Sequence, residues 1–479
     1  MAPSEIERPY DLLVIGGGSG GYAAARTGHE LGMRVAVVDG AEKLGGLCIL
    51  RGCMPSKTLI ESANRYRAIR QAEEFGLRAE NTSVIPAEIV ARKERLIGEF
   101  ADYRSEQLQD ERFGLLRGRA KFVNPHSVEI EMRDGEGIRT VGFRSAVVAT
   151  GSSIARLPIE GLEETGYWTS DDILDADSLP GSITVLGGGA IALEMASYLE
   201  GLGVKVSVIQ RSPQLLRGTD LDVAQALEKS LDGRANMTIF TGTSLERVEL
   251  NHENGKKTVH FQHEGESKSV VSDQILQALG RRPNSQGLEA ATAGIRLDEG
   301  SGRIQTTSDQ RAGAEHIFAA GDVCGPHEVV HIAIEQGEIA AHNAAAMLGF
   351  TSADERHINY RLKLYGIFTD PQVATVGLSE NEASDAGRNF RAATYPFDDH
   401  GKSMVMGETH GFVKMIADSE TGEILGASVI GPEAVDLIHE VVVAMHFKAT
   451  TNEFIKIPHY HPTLSEIWTY PAEDLLISP

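Results

Sequence analysis

The chain has 479 residues, enough at roughly 100–200 residues per domain for about three domains. Acidic residues outnumber basic ones 68 to 45, and the formal net charge of −23 would repel nucleic acid or an anionic membrane surface. No run of 18 apolar residues is present, the start MAPSEIERPY lacks the character of a secretory leader, and three cysteines do not make a secreted disulfide scaffold, so a cytoplasmic protein is expected.

Residues 10–40 read YDLLVIGGGSGGYAAARTGHELGMRVAVVDG. A strand predicted over 12–15 runs into Gly16, Gly18 and Gly21, spaced G-x-G-x-x-G. A helix over 22–31 and a second strand over 35–38 follow, ending at Asp39. In such a unit the first glycine makes the turn, the second lets backbone approach a pyrophosphate, and the third lets helix pack on strand. The helix N-terminus favours phosphate charge, and Asp39 can accept hydrogen bonds from ribose hydroxyls.

The next stretch, GGLCILRGCMPSK at 45–57, holds two of the three cysteines, Cys48 and Cys53. A zinc site needs about four ligands, and no His or Cys neighbours this pair to complete them. A staple closing so short a loop restrains little unfolded-chain entropy. Its position directly after a dinucleotide unit favours a redox-active pair that cycles between disulfide and dithiol. Gly45 and Gly46 permit close backbone approach, Pro55 helps to start a helix, and a helix N-terminus stabilises a thiolate. Further on, RKERLIGEFADYRSEQLQDERF reads as a helix with a solvated, mixed-charge face.

Residues 183–213, ITVLGGGAIALEMASYLEGLGVKVSVIQRSP, repeat the first unit. Gly187, Gly189 and Ala192 stand at a constant offset of 171 from Gly16, Gly18 and Gly21. The same offset carries Asp39 onto Gln210, with Arg211 next and Arg217 six residues further. A carboxylate there would repel a 2′-phosphate, whereas a neutral Gln with an arginine accepts one, so NADPH is expected in preference to NADH.

The GGLCILRGCMPSK stretch resembles the active-site signature of class I pyridine nucleotide-disulfide oxidoreductases, the flavoprotein disulfide reductases that include dihydrolipoamide dehydrogenase, glutathione reductase and mercuric reductase. The resemblance runs from about Tyr10 to about Glu473. VVATGSS at 147–153, with Thr150 and Gly151, is similar to the segment where the family's chain leaves the flavin domain. LGRRPN at 279–284, with Gly280, resembles the segment where it returns. IFAAGDVCG at 317–325 resembles the second FAD motif, FTDPQVATVGLSE at 368–380 the opening of the interface domain, and HYHPTLSE at 459–466 the catalytic base segment.

The resemblance implies an α/β fold with two Rossmann-like dinucleotide-binding domains, for FAD and NAD(P), and a C-terminal α+β dimerisation domain. It divides the chain into 1–151 and 281–349 for FAD, 152–280 for the nucleotide and 350–479 for dimerisation. It also implies a homodimer whose active sites combine both subunits. Electrons would pass from NADPH, with NADH also possible, through FAD to a Cys48–Cys53 disulfide. Cys53 is then the thiolate beside the flavin and Cys48 the one that attacks a substrate disulfide. His461 matches the acid/base, and Glu466 the carboxylate that orients it. Lys57 matches the lysine near the flavin, Glu194 its ion-pair partner, and Asp322 the ligand of the ribityl chain. His459 ranks second to His461, and Cys324 reads as a small buried hydrophobe.

The resemblance leaves the substrate open. Glutathione reductases carry arginines matching Arg26 and position 338, but Glu338 stands here and argues against glutathione disulfide. VVHIAIEQG at 329–337, with His331, is closer to the dihydrolipoamide dehydrogenases, so a lipoyl-type disulfide is favoured. Those enzymes, however, generally carry Glu where Gln210 stands and use NAD⁺. The alternatives are a conventional NAD-dependent dihydrolipoamide dehydrogenase, a glutathione- or mercuric-reductase-like enzyme, and a non-catalytic redox-sensing flavoprotein subunit. No cysteine pair follows Cys324, and His461 stands where mercuric reductases have another residue.

Overall fold

The computed structural model describes residues 9–133 and 135–477, so the start read above as lacking a leader lies outside the described residues. Six consecutive buried residues form strand β1, Tyr10–Ile15. Burial on both faces is the environment of a strand inside a parallel sheet covered by helices, and Leu12, Leu13 and Val14 are wholly shielded. Helix α1, Ser19–Glu30, begins earlier than the sequence pattern suggests. Gly20 and Gly21 lie inside it because they allow close approach rather than break the helix. A Cβ on Gly21 would lie 1.8 Å from the Gly16 carbonyl oxygen, and one on Gly20 2.9 Å from that of Ala333.

Strand β2, Val35–Val38, lies parallel to β1 with Val35 opposite Leu12. Three helices follow: α2 (Gly46–Leu50), α3 (Cys53–Arg70) and α4 (Pro86–Gln109). Of the α4 residues, Lys93, Ile97, Ala101 and Leu108 are buried in one stripe, and most of the others face water. Strands β3 (Phe113–Leu116), β4 (Gly118–Asn124), β5 (Ser127–Met132) and β6 (Ile138–Val148) complete the first sheet. Its order is β3-β2-β1-β6-β5-β4, and the strand Ile317–Ala319 also pairs with β6. Pairing is parallel from β3 to β6 and antiparallel from β6 to β4.

The chain divides into two compact units. The first collects the described residues up to Pro55, Arg92–Ala155 and Arg281–Asn359. Inside it, Gly337 on the helix Val330–Met347 lets that helix approach α1, since a Cβ there would lie 2.1 Å from the Gly20 carbonyl oxygen.

The second unit collects Ser56–Ala91, Arg156–Gly280 and the described residues from Tyr360 onward. It holds a parallel four-stranded sheet in the order Met237–Phe240, Lys205–Ile209, Ser182–Leu186, Gln274–Gln277. A three-stranded antiparallel sheet and a five-stranded antiparallel sheet complete it. The central strand of the last, Ile424–Gly431, is buried throughout. On the neighbouring strand Phe412–Asp418, the Lys414 side chain is only 2% exposed. Its Nζ lies 3.2 Å from Asp220 and 2.7 Å from Asp222, and it also pairs with Glu380. No helix among the described residues is long and apolar enough to cross a membrane.

Candidate active site

The first glycine turn is built for close approach. Gly16 has φ +108°, and a Cβ there would lie 2.3 Å from the Ala149 carbonyl oxygen, so only glycine fits. Gly18 caps α1 without a side-chain hydrogen bond, which leaves first-turn N–H groups able to meet an anion. Asp39 is nine-tenths buried at the end of β2. Its two oxygens accept from Gly17 N at 2.9 Å and Ala41 N at 2.8 Å, which fixes the carboxylate and leaves each oxygen a lone pair.

The second turn repeats this geometry. Gly187 has φ +118° and a virtual Cβ 2.5 Å from the Ala278 carbonyl oxygen. A Cβ on Gly189 would meet nothing within 4 Å, so the backbone there is open to a ligand. Ala192 replaces the third glycine and is fully buried. Gln210 takes the place of Asp39 in the same register. A Cβ on Gly17 would lie 2.8 Å from the Asp39 carboxylate, and one on Gly188 would lie 2.9 Å from the Gln210 side chain. Arg211 and Arg217 are both exposed.

The segments where the chain crosses between its two parallel sheets are tied together. Thr150 Oγ1 donates to the Asn284 carbonyl at 2.7 Å, and Asn284 N donates to the Gly151 carbonyl at 2.9 Å. Gly151 has φ +70° and Gly280 φ +113°, both in the left-handed region that favours glycine. Asp322 accepts from Ser152 Oγ at 2.6 Å, and the Ser152 oxygen in turn accepts from Arg281 Nε at 2.8 Å.

The stretch that carries the cysteines begins against the first turn. Gly46, with φ +71°, would place a Cβ 2.5 Å from Gly18 Cα, so the stretch that opens α2 rests directly on the fingerprint. Gly52 is also closely approached, since a Cβ would lie 3.0 Å from the Leu47 carbonyl oxygen and 3.2 Å from Cys48 Cα. Cys48 sits in α2 and Cys53 is the first residue of the 18-residue α3. Both stand as half-buried thiols. Cys324 is different: it is buried, and burial pushes its pKa up to about 12, so its thiol is inert near neutral pH.

Sequence reasoning missed Arg104 on α4. Its guanidinium lies 4.1 Å over the Tyr22 ring, and its buried Nε and Nη1 have no hydrogen-bond partner among the described residues. Burial pushes its pKa down, while the charges of Tyr22 and Cys48 pull it up. A basic residue within a charged helical run carries no sequence signal of such a position. Close by in sequence to Tyr22, Arg26 is ion-paired to Glu338.

In the second unit, Lys57 meets Glu194 in a bidentate pair at 2.8 and 3.0 Å. Glu194 is 5% exposed and also accepts from Phe368 N at 3.0 Å, and Lys57 Nζ sits 4.7 Å over the Phe368 ring. His461 Nδ1 lies 3.0 Å from Glu466 Oε2. The His461 ring is 77% exposed and Glu466 only 14%, the arrangement of a proton carrier presented to solvent by an anchored carboxylate. His459 is committed elsewhere, with Nε2 at 2.6 Å from Glu440.

Residues 10–337 match the model of the pyridine nucleotide-disulphide oxidoreductases, and residues 365–472 match that family's dimerisation domain. The dihydrolipoyl dehydrogenase of Bacillus subtilis (strain 168) is 33% identical over 466 residues, 95% of this chain and 96% of its own length. That of Thermus scotoductus is 33% identical over 470 residues, 98% of each chain. The chain belongs to the pyridine nucleotide-disulphide oxidoreductases. Among solved structures, this oxidoreductase is similar to LpdA from Mycobacterium tuberculosis, with a TM-score of 0.85, 27% identity, and 97% and 100% of the two chains covered. It is also similar to the HOCl-induced flavoprotein disulfide reductase RclA from Escherichia coli in its Cu(II) complex, with a TM-score of 0.84, 26% identity, and 98% and 100% covered.

The oxidoreductase is therefore an enzyme of dihydrolipoyl dehydrogenase-like type, FAD-dependent and using NAD(P)(H). The residues present fit FAD. The uncapped α1 N-terminus can meet a pyrophosphate, the fixed Asp39 carboxylate a ribose, and the glycine cradle a close-lying phosphate.

Proposed function

We propose that this enzyme passes electrons from NADPH through FAD and the Cys48–Cys53 pair to a small, lipoyl-type disulfide. The carrying observation is the placement of Cys48 within α2, whose first residue Gly46 rests on the first dinucleotide turn, and of Cys53 at the start of α3. We read the domain boundaries as those expected from the sequence, and the working form as a homodimer.

Bound FAD supplies the two-electron relay between nicotinamide and the cysteine pair. Gly16, Gly18, Gly21, Asp39, Thr150, Gly151, Gly280 and Asp322 serve to hold it. Gly187, Gly189 and Ala192 cradle the nicotinamide nucleotide. Lys57, held by Glu194, keeps a fixed positive charge near the flavin. The helix dipole of α3 stabilises Cys53 as a thiolate. In the reducing direction the Cys48 thiolate attacks one sulfur of the substrate disulfide, and the departing thiolate takes a proton from the partner subunit's His461. The Cys53 thiolate then attacks the Cys48 sulfur, breaking the mixed disulfide and closing the Cys48–Cys53 bond, and the second substrate sulfur leaves as a thiolate that takes its proton from solvent. Glu466 stabilises His461 when it carries the proton.

Gln210 beside exposed Arg211 and Arg217 supports NADPH, since no carboxylate there opposes a 2′-phosphate. The Arg26–Glu338 pair supports a substrate without glutathione's carboxylates, because the matching arginine is already neutralised. Steady-state reduction of lipoamide tests both points. The expected kcat/KM favours NADPH over NADH by about 10–100-fold, the size of one charge-assisted phosphate contact. Equal or faster turnover with NADH overturns the nucleotide assignment and makes this a conventional NAD-dependent dihydrolipoamide dehydrogenase. Flavin bleaching by either nucleotide without lipoamide turnover overturns the substrate assignment. Full activity in Cys48→Ser overturns the mechanism.

A further inference from the structure

The carboxylate of Glu466 has a histidine on each side. His461 Nδ1 lies 3.0 Å from Oε2, and His400 Nε2 lies 3.6 Å from Oε1. His461 is exposed, whereas His400 is 0% exposed and comes from a separate stretch, YPFDDHGK. The other nitrogen of His400, Nδ1, is 2.8 Å from Ser403 Oγ, which is itself fully buried. His400 Nε2 is buried and makes no hydrogen bond to any group among the described residues, Glu466 included, so it faces the carboxylate as an unpartnered polar atom. A Ser403 hydroxyl that donates to Nδ1 leaves the ring proton on Nε2, facing the carboxylate.

We propose that His400 is a positioning residue for the His461–Glu466 pair, a buried neutral imidazole whose Nε2–H faces the Glu466 carboxylate from 3.6 Å and steadies it electrostatically so that its second oxygen stays on His461. The proposal rests on the reading of His461 as the proton carrier. A neutral donor suits this place better than a cation would. A buried lysine or arginine would draw the charge of Glu466 away from His461, whereas a dipole orients the carboxylate and leaves its charge available. Burial pushes the His400 pKa down, which keeps the ring neutral near pH 7. The titratable groups around it are Glu466 and His461, Tyr470 with its ring 6.5 Å away, and the adjoining Asp399, which accepts from the Tyr395 hydroxyl at 3.0 Å.

The holoenzyme is compared as wild type, His400→Leu, His400→Gln, Ser403→Ala and His461→Gln. Turnover is followed against pH, and His461 is titrated by NMR in protein carrying ¹³C-labelled histidine. His400→Leu is expected to lower kcat/KM for the disulfide about 10-fold. It should also shift the His461 titration and the acid limb of the rate profile down by about half a pH unit, while flavin reduction by nicotinamide stays unchanged. His400→Gln, which keeps an N–H donor near the same place, should recover most of both. Ser403→Ala should act like the Leu variant at smaller size, and it decides the matter if the Leu variant fails to fold. An unshifted His461 titration in whichever of these variants is folded overturns the proposal. Unchanged turnover in His461→Gln overturns instead the reading on which it rests.

Discussion

Cys48 and Cys53 differ in what surrounds them. Cys53 opens a long helix, so its thiolate has the α3 dipole behind it. Cys48 lies in a five-residue helix, too short to offer much, but it interacts electrostatically with the half-buried Arg104. The orphaned Nε and Nη1 of Arg104 are a cation short of partners, and a thiolate supplies the missing negative charge. Arg104→Met is therefore expected to slow alkylation of Cys48 by iodoacetamide at pH 7 by about 3–10-fold, through a raised thiol pKa. Measured in a Cys53→Ser background across pH 5–9, the alkylation midpoint should move up; an unmoved midpoint excludes this role.

Elements formed where glycine or charge gave the sequence a mechanical meaning. The geometry of both glycine turns and the placement of Asp39 were legible, because Gly16, Gly21 and Gly187 each have a steric reason that their spacing exposes. The start of α1 was less so, since the helix expected from residue 22 already begins at Ser19, with Gly20 and Gly21 inside it packed against Ala333 and Gly16. His400 and Arg104 were not legible, because their partners come from distant segments and nothing local marks them. Gly46 joins two elements that the sequence separates, since its Cα side faces Gly18 at a distance no Cβ tolerates. Gly46→Ala adds backbone strain to that collision and is expected to destabilise the enzyme by about 2–3 kcal/mol. FAD retention should fall with it, read as a lower Tm and a weaker flavin absorbance after gel filtration. A variant with unchanged Tm and full flavin would show that α2 can shift freely off the turn.

Across the whole molecule, part of the acidic excess gathers around one buried cation. Lys414 links Asp220, at the N-terminus of the helix Leu221–Asp232, and Asp222, within it, with Glu380. Its surrounding carboxylates hold its pKa up, so that contribution is present through neutral pH and is lost only as the pH rises through the raised value. Burial holds the pKa of Asp220 up even with Lys414 present. Carboxylate oxygens from Asp220, Asp222 and Glu380 lie within 4.8 Å of one another, so without the lysine they cannot all stay ionised. In Lys414→Met the native state would hold one more proton near neutrality than the unfolded chain does. Relative to the wild type, its stability should then climb by about 1 kcal/mol per pH unit as the pH falls from 7 to 5. Urea midpoints at pH 5, 6 and 7 read the slope, and a flat or falling curve would mean that the carboxylates separate instead. One side chain thus bears on the enzyme's response to mild acid: Lys414 offsets part of the charge of one buried and two half-exposed carboxylates, and without it a proton becomes the counter-ion of last resort.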